Sequence, residues 1–177
     1  FTLITAATAQ WHDFEHLKNN LAEGLSLTDH TREYSTLIVT GPKSRDLFAA
    51  IAEADLSLPW LSHQSAKVAG INCALARVSF AGELGWEGHA ANADMPAIYD
   101  AVLAAGAVPF GMYALNSLRI EKGYRAWKGD LSTDYTLLEG GLDRFVRFDK
   151  PQDFPGKAAL LAEKQRGVKK RFVTLVV

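Results

Sequence analysis

The chain has 177 residues, 48% of them hydrophobic and 22% charged, with a formal net charge of -1. This is globular composition, with enough apolar material to build a core without a disulfide or a metal. The near-balanced charge, the single Cys73 and the lack of any apolar run near the ~18–20 residues of a bilayer span argue against a nucleic-acid surface, an intrachain disulfide and a membrane helix.

In chain order, Phe1–Thr5 reads as a strand. Trp11, Phe14, Leu17 and Leu21 recur at three- and four-residue steps and predict a helix ended by Gly24. Tyr34–Thr40 is β-branched and closes on Gly41-Pro42, a strand and a turn. From Lys43 the apolar positions Leu47, Phe48 and Ile51 predict a second helix. Pro59–Gln64 lacks periodicity and reads as loop. Two strands follow near Ala66–Val68 and Cys73–Phe80, joined around Gly70-Ile-Asn72. A glycine-rich turn, Gly82 to Gly88, leads toward a helix over Met95–Ala105, with further helices over Tyr113–Lys122 and Lys157–Gln165. Arg171–Val177 reads as a last strand, and both terminal runs read as cuts through a longer protein. Hairpin-like strands mixed with helices predict an α+β fold with a split β-α-β core, its sheet including Thr2–Thr5, Leu37–Thr40 and Ala74–Phe80 and its helices mainly on one face.

Several residues invite chemistry. His12 and His16 have the i, i+4 spacing of a zinc pair, but Asp13 stands where a metalloprotease needs Glu, and the apolar stripe through Phe14 and Leu17 turns both histidines outward. Gly82, Gly85 and Gly88 match neither a dinucleotide fingerprint nor a phosphate loop, so they predict a tight turn or bulge between strand residues Ser79–Phe80 and Trp86–Glu87. Glu83 and Glu87 flank that turn and read as solvated carboxylates or as an acid/base pair. Arg119 reads as a surface ion-pair partner. Tyr124 and Trp127 read as core or as a stacking wall. Cys73, inside an apolar run, reads as a buried, unreactive thiol.

Three stretches carry a resemblance. Arg77-Val-Ser-Phe-Ala-Gly-Glu-Leu-Gly-Trp-Glu87 is similar to the R-V-S-Y-x-G-E-x-G-W-E signature of folate-binding aminomethyltransferase domains, the glycine cleavage T-protein family. Ser117 to Trp127 resembles their second signature, and Leu142 to Leu160, with Asp153-Phe-Pro-Gly-Lys157, their third. Trp86, the Gly-Tyr-Arg-x-Trp ending of the second motif, His12-Asp13 and the Leu17 helix look more like the dimethylglycine and sarcosine dehydrogenase branch than the T-protein itself.

The resemblance implies a ferredoxin-like folate-binding core cut at both ends, with residues 1–168 in that domain and 169–177 opening a small barrel. It implies tetrahydrofolate as cofactor, with FAD in an upstream domain of the same protein that oxidises an N-methylated glycine. The folate domain then captures the one-carbon unit as 5,10-methylenetetrahydrofolate, in bacterial cytoplasm or in a mitochondrial matrix. By motif position the pterin-binding acid falls on Glu87 rather than Glu83, which is left to stabilise the turn. A planar guanidinium for carboxylate or ring-oxygen recognition falls on Arg119, and aromatic positions of the folate pocket fall on Phe80 and Trp127. Phe80 stands where the family often has Tyr, which removes a hydroxyl. The family's aspartate beside the reacting folate nitrogens falls before Phe1, so no catalytic residue is assigned. A free-standing T-protein and a non-catalytic folate-binding module are the competing expectations.

Overall fold

The β-branched run Tyr34–Thr40 forms β1, and the chain then turns through Gly41-Pro42 into α2 (Ser44–Ile51). Before them lies α1 (Gln10–Asn19), and after them β2 (Ala52–Glu53), β3 (His63–Val68), β4 (Ile71–Ala76), β5 (Gly85–Ala91), α3 (Met95–Ala104), α4 (Met112–Glu121) and α5 (Lys157–Arg166). The computed structural model describes residues 1–176. They fall into two units, Phe1–Tyr124 and the segment from Arg125 onward.

In the first unit the strands form one sheet in the order β1-β5-β4-β3-β2, and every neighbouring pair is antiparallel. Successive antiparallel steps leave β1 and β2 pointing the same way, with three strands between them and α2 connecting them. This is a split β-α-β unit on an antiparallel sheet, an α+β fold. A two-residue turn, Ala69-Gly70, joins β3 to β4 with both residues at positive φ (52° and 76°), the mirror-image turn that suits the twist of a hairpin.

Directly paired residues share a face, and the faces alternate along each strand. Leu37 and Val39, Trp86 and Ala90, Cys73 and Leu75, and Ala66 and Val68 therefore point to one side, where they pack with Phe48 of α2 and with Ile98 and Val102 of α3. Here Cys73 is buried, and burial pushes its thiol up, away from the reactive thiolate. The opposite face carries Thr36, Ile38 and Thr40 of β1, Ala74 and Ala76 of β4, and Glu87 and His89 of β5. Phe14 and Leu17 of α1 are half-buried, while His12 and His16 are exposed.

In the second unit a bend at Trp127 is held by the Lys128 amide on the Leu131 carbonyl and the Ala126 amide on the Asp130 carboxylate. The buried Glu163 of α5 accepts the Thr136 hydroxyl at 2.8 Å. Arg125 donates to the Gly141 carbonyl at 3.1 Å and lies over the Phe172 ring.

Several expectations are corrected. Phe1–Thr5 forms no strand and pairs with none of the described residues, its Phe1, Leu3 and Ile4 side chains lying exposed. Residues 171–176 of the expected final strand are likewise irregular, and Val177 lies outside the described residues. Strand-forming composition needs a partner edge to act on. β4 ends at Ala76, so Arg77 to Phe80 are not strand, whereas β3 begins at His63, within the stretch read as loop. β5 extends well beyond the strand residues Trp86–Glu87 read from the sequence, through Gly88 to Ala91, and lies between β1 and β4.

Gly85 opens β5 where a side chain has no room. A Cβ there would lie 2.8 Å from Ser79 Cβ, 2.9 Å from Ser79 Oγ and 3.1 Å from Thr40 Oγ1. Gly85→Ala is expected to cost about 1–3 kcal/mol through overpacking, and a loss of about 2 kcal/mol lowers the thermal midpoint by roughly 4–8 °C. Gly88 is the control, since its Cβ would meet only the Leu37 carbonyl at 3.9 Å. Gly88→Ala should hold or raise the midpoint. Equal losses in the two variants would contradict the steric account.

Candidate functional site

The turn from Phe80 to Leu84 is tied to the end of β1 through one acceptor. The Leu84 carbonyl receives the Gly41 amide at 2.7 Å, the Ser44 hydroxyl at 3.0 Å and the Thr40 hydroxyl at 3.3 Å. Glu83 is exposed on this turn and makes no hydrogen bond among the described residues, so the stabilising role expected of it falls to Leu84. Arg77 Nη1 donates to the Gly85 carbonyl at 3.1 Å, and its guanidinium lies 5.2 Å from the centre of the Trp86 ring. Trp86, fully buried, meets Phe48 edge-on at 6.0 Å. Arg77 and Trp86 are thus the scaffold of the stretch that ends at Glu87.

Because Trp86 points into the core, Glu87 must point to the other face. Its carboxylate is part-buried, beside Ile38 and Ala76 in register and with His89 Nε2 at 3.6 Å from Oε2. The other side of His89 meets the Thr36 hydroxyl, 2.9 Å from Nδ1. A partly desolvated carboxylate on a rigid central strand is a directional acceptor for paired N–H donors.

The structure brings the first two signature stretches together. The Phe80 ring stacks on Tyr124 with centroids 6.2 Å apart and planes 14° from parallel. Gly82, at φ 80°, leaves no space for a Cβ against the Lys122 side chain, so the turn lies directly on the end of α4. A flat aromatic wall of this kind suits a planar heteroaromatic ligand.

Arg119 is placed differently from the sequence reading. It is 6% exposed, not a surface residue. Its Nε and Nη2 donate to Asn116 Oδ1 at 2.8 and 2.6 Å, and Nη1 donates to the Tyr124 carbonyl at 2.9 Å. These bonds make Arg119 the clasp that holds the chain after α4, and with it the ring stacked on Phe80. Trp127 lies in the second unit. Its indole Nε1 is buried without a hydrogen-bond partner among the described residues, and Lys128 Nζ is 6.0 Å from its ring.

Sequence reading passed over Thr36, His89 and Asn116, and read Tyr124 as core or as a stacking wall. His89 had a signal: it is two residues from Glu87, hence on the same strand face, once Gly85–Ala91 is read as a strand. Asn116 sits one helical turn before Arg119. An open surface cavity of 580 Å³ is lined by Asp153 to Ala159, and one of 290 Å³ by Glu53, Ser65, Ala66, Lys67 and Asn72; neither contains a residue expected to hold folate. None of the described helices is long and apolar enough to cross a membrane.

Residues 1–150 match the family model of the GCVT N-terminal domain. The chain belongs to that family. Among curated proteins it is 37% identical over 187 residues to the mitochondrial dimethylglycine dehydrogenase of Homo sapiens, covering 100% of this chain and 22% of that protein. It is 36% identical over 187 residues to the mitochondrial sarcosine dehydrogenase of Mus musculus, covering 100% of this chain and 20% of that protein. With the aminomethyltransferase of Listeria monocytogenes serotype 4a (strain HCC23) it shares 33% identity over 175 residues, 98% of this chain and 48% of that one. The chain therefore spans about a fifth of the dehydrogenases and about half of the aminomethyltransferase. Among solved structures, the heterotetrameric sarcosine oxidase from Corynebacterium sp. U-96 in complex with pyrrole 2-carboxylate overlaps 55% of this chain and 53% of its own, with TM-score 0.45 and 19% identity.

Proposed function

We propose that this GCVT-family domain binds tetrahydrofolate for a larger FAD-dependent dehydrogenase of N-methylated glycines, dimethylglycine or sarcosine. In that protein the one-carbon unit is captured as 5,10-methylenetetrahydrofolate. The observation that carries the reading is the part-buried Glu87 carboxylate, fixed on β5 by the burial of its neighbour Trp86. The relatives of higher identity that span the whole chain carry dehydrogenase names, which supports the dehydrogenase over the free-standing aminomethyltransferase.

The residues fit the group. A reduced pterin presents adjacent N–H donors on one edge, and Glu87 offers two acceptor oxygens that take such an edge side by side. Phe80 supplies an aromatic face, backed by Tyr124. Arg119, with donors committed to Asn116 and the Tyr124 carbonyl, holds that wall and does not need to touch the ligand. Trp127 belongs to the second unit and is given no part in this site. Tetrahydrofolate, when bound, supplies the nucleophilic nitrogens for the one-carbon unit. The chain's own residues hold and orient it, and no proton transfer is assigned to them.

The test is direct. Full-length protein is expected to quench or shift on titration with tetrahydrofolate, kept anaerobic, and to carry a flavin absorbance. Saturable folate binding without flavin selects the free-standing aminomethyltransferase. Lack of saturable binding removes the folate reading.

A further inference from the structure

Three side chains on the sheet face away from α2 and α3 form a line across β1 and β5. Thr36 pairs directly with His89 in the strand register, and Glu87 lies two residues along β5, so all three point the same way. Thr36 Oγ1 is 2.9 Å from His89 Nδ1, and His89 Nε2 is 3.6 Å from Glu87 Oε2. His89 and Glu87 side chains are 17% and 22% exposed. His89 Nε2 is itself buried and has no hydrogen-bond partner among the described residues. A buried ring nitrogen without a partner is unfavourable, and the Glu87 carboxylate stands just beyond bonding distance of it.

We infer that His89, oriented by Thr36, is a positioning residue that fixes the rotamer of Glu87 for the ligand. The inference rests on the reading of Glu87 as the pterin acceptor. When the Thr36 hydroxyl donates to Nδ1, the ring proton sits on Nε2, aimed at Glu87. A carboxylate has about four lone-pair sites, so Oε2 accepts from His89 on one side while both oxygens remain open to a ligand edge. A small rotation of Glu87 or His89 closes the remaining gap. The ligand then meets an acceptor already held in place, and less side-chain freedom is lost on binding. Sheet geometry supplies the rigidity, because Thr36, His89 and Glu87 all stand on paired strands and none on a loop.

The experiment is tetrahydrofolate titration of the full-length protein and its variants, each with a thermal melt. His89→Phe keeps the ring volume and removes both nitrogens; its Kd is expected to rise about five- to tenfold, the size expected for freeing one side chain. Thr36→Val, nearly isosteric, should raise Kd about two- to threefold by releasing the imidazole. His89→Gln keeps an N–H donor near the Nε2 position and should restore binding to within about twofold of the parent. In a Glu87→Gln background, His89→Phe should add less than about twofold, because partners in one interaction are not additive. A Kd for His89→Phe within twofold of the parent, or the same fold-loss in both backgrounds, overturns the positioning role while leaving Glu87 as the acceptor. Should His89→Phe fail to fold, Thr36→Val decides: an unchanged Kd overturns the inference. If Glu87→Gln alone leaves binding unchanged, the folate reading of this face fails instead.

Discussion

Trp86→Ala is expected to destabilise the protein by about 3–5 kcal/mol, a large part of the total stability of a domain this size. The indole is 0% exposed, packs edge-on against Phe48 at 6.0 Å and carries the Arg77 guanidinium at 5.2 Å from its centre. Truncation opens a cavity between β5 and α2 and strips the cation of its ring. A second variant separates packing from polarity. Trp86 Nε1 is buried with no partner among the described residues, so Trp86→Phe removes an unsatisfied donor as it removes area. The two effects oppose each other, and the Phe variant is expected to lose no more than about 1.5 kcal/mol. Urea unfolding midpoints at unchanged slope measure both. A Phe variant as unstable as the Ala variant would mean that the indole nitrogen has a partner that matters.

This arrangement also shows what the sequence made legible. β1, α2, α3 and α5 carry their signal in β-branched runs, in three- and four-residue apolar steps and in flanking Pro and Gly, and they form close to where those signals put them. β5 carries it only at Trp86–Glu87. Gly85-Trp-Glu-Gly-His-Ala-Ala91 has poor strand composition, yet Trp86, Gly88 and Ala90 are all buried at two-residue spacing. Its strand character comes from two flanking partners and from the lack of room for a Cβ at Gly85, neither of which is a local property. The reverse error occurs at Phe1–Thr5, where local composition is strand-like and no partner edge exists among the described residues.

The candidate site was legible as motif positions only. Motif position singled out Glu87, Phe80, Arg119 and Trp127; the fold puts Glu87 and Phe80 at the ends of one turn, bonds Arg119 to the carbonyl of the Tyr124 that stacks on Phe80, and leaves Trp127 in the second unit. What motif position does not convey is occupancy of donors. Arg119 reads as a ligand contact, and motif position does not show that Asn116 and the Tyr124 carbonyl also take hydrogen bonds from it. Nor does it convey cross-strand neighbours. Thr36 and His89 are 53 residues apart in sequence and meet only through register.

Glu87→Gln in the full-length protein is expected to weaken tetrahydrofolate binding by roughly one to two orders of magnitude. The carboxylate is part-buried, with its side chain 22% exposed, so the donors it meets are partly withdrawn from water. A hydrogen bond to a charged group contributes about 1.5–3 kcal/mol, and a buried donor left unpaired adds its own desolvation cost. Glutamine keeps the shape but offers one carbonyl oxygen, and its amide nitrogen faces a ligand donor with another donor. The fold should hold, because Glu87 makes no contribution to the core beneath β5, where Trp86, Gly88 and Ala90 lie. Glu83→Gln is the internal control: Glu83 is exposed, and the turn is fixed by the Leu84 carbonyl rather than by this carboxylate. It should leave both folate affinity and the thermal midpoint within error of the parent. Titration and melts of the two variants decide between registrations of the motif. Loss of binding in Glu83→Gln with none in Glu87→Gln would move the acceptor to the turn. Unchanged binding in both would take folate away from this strand altogether.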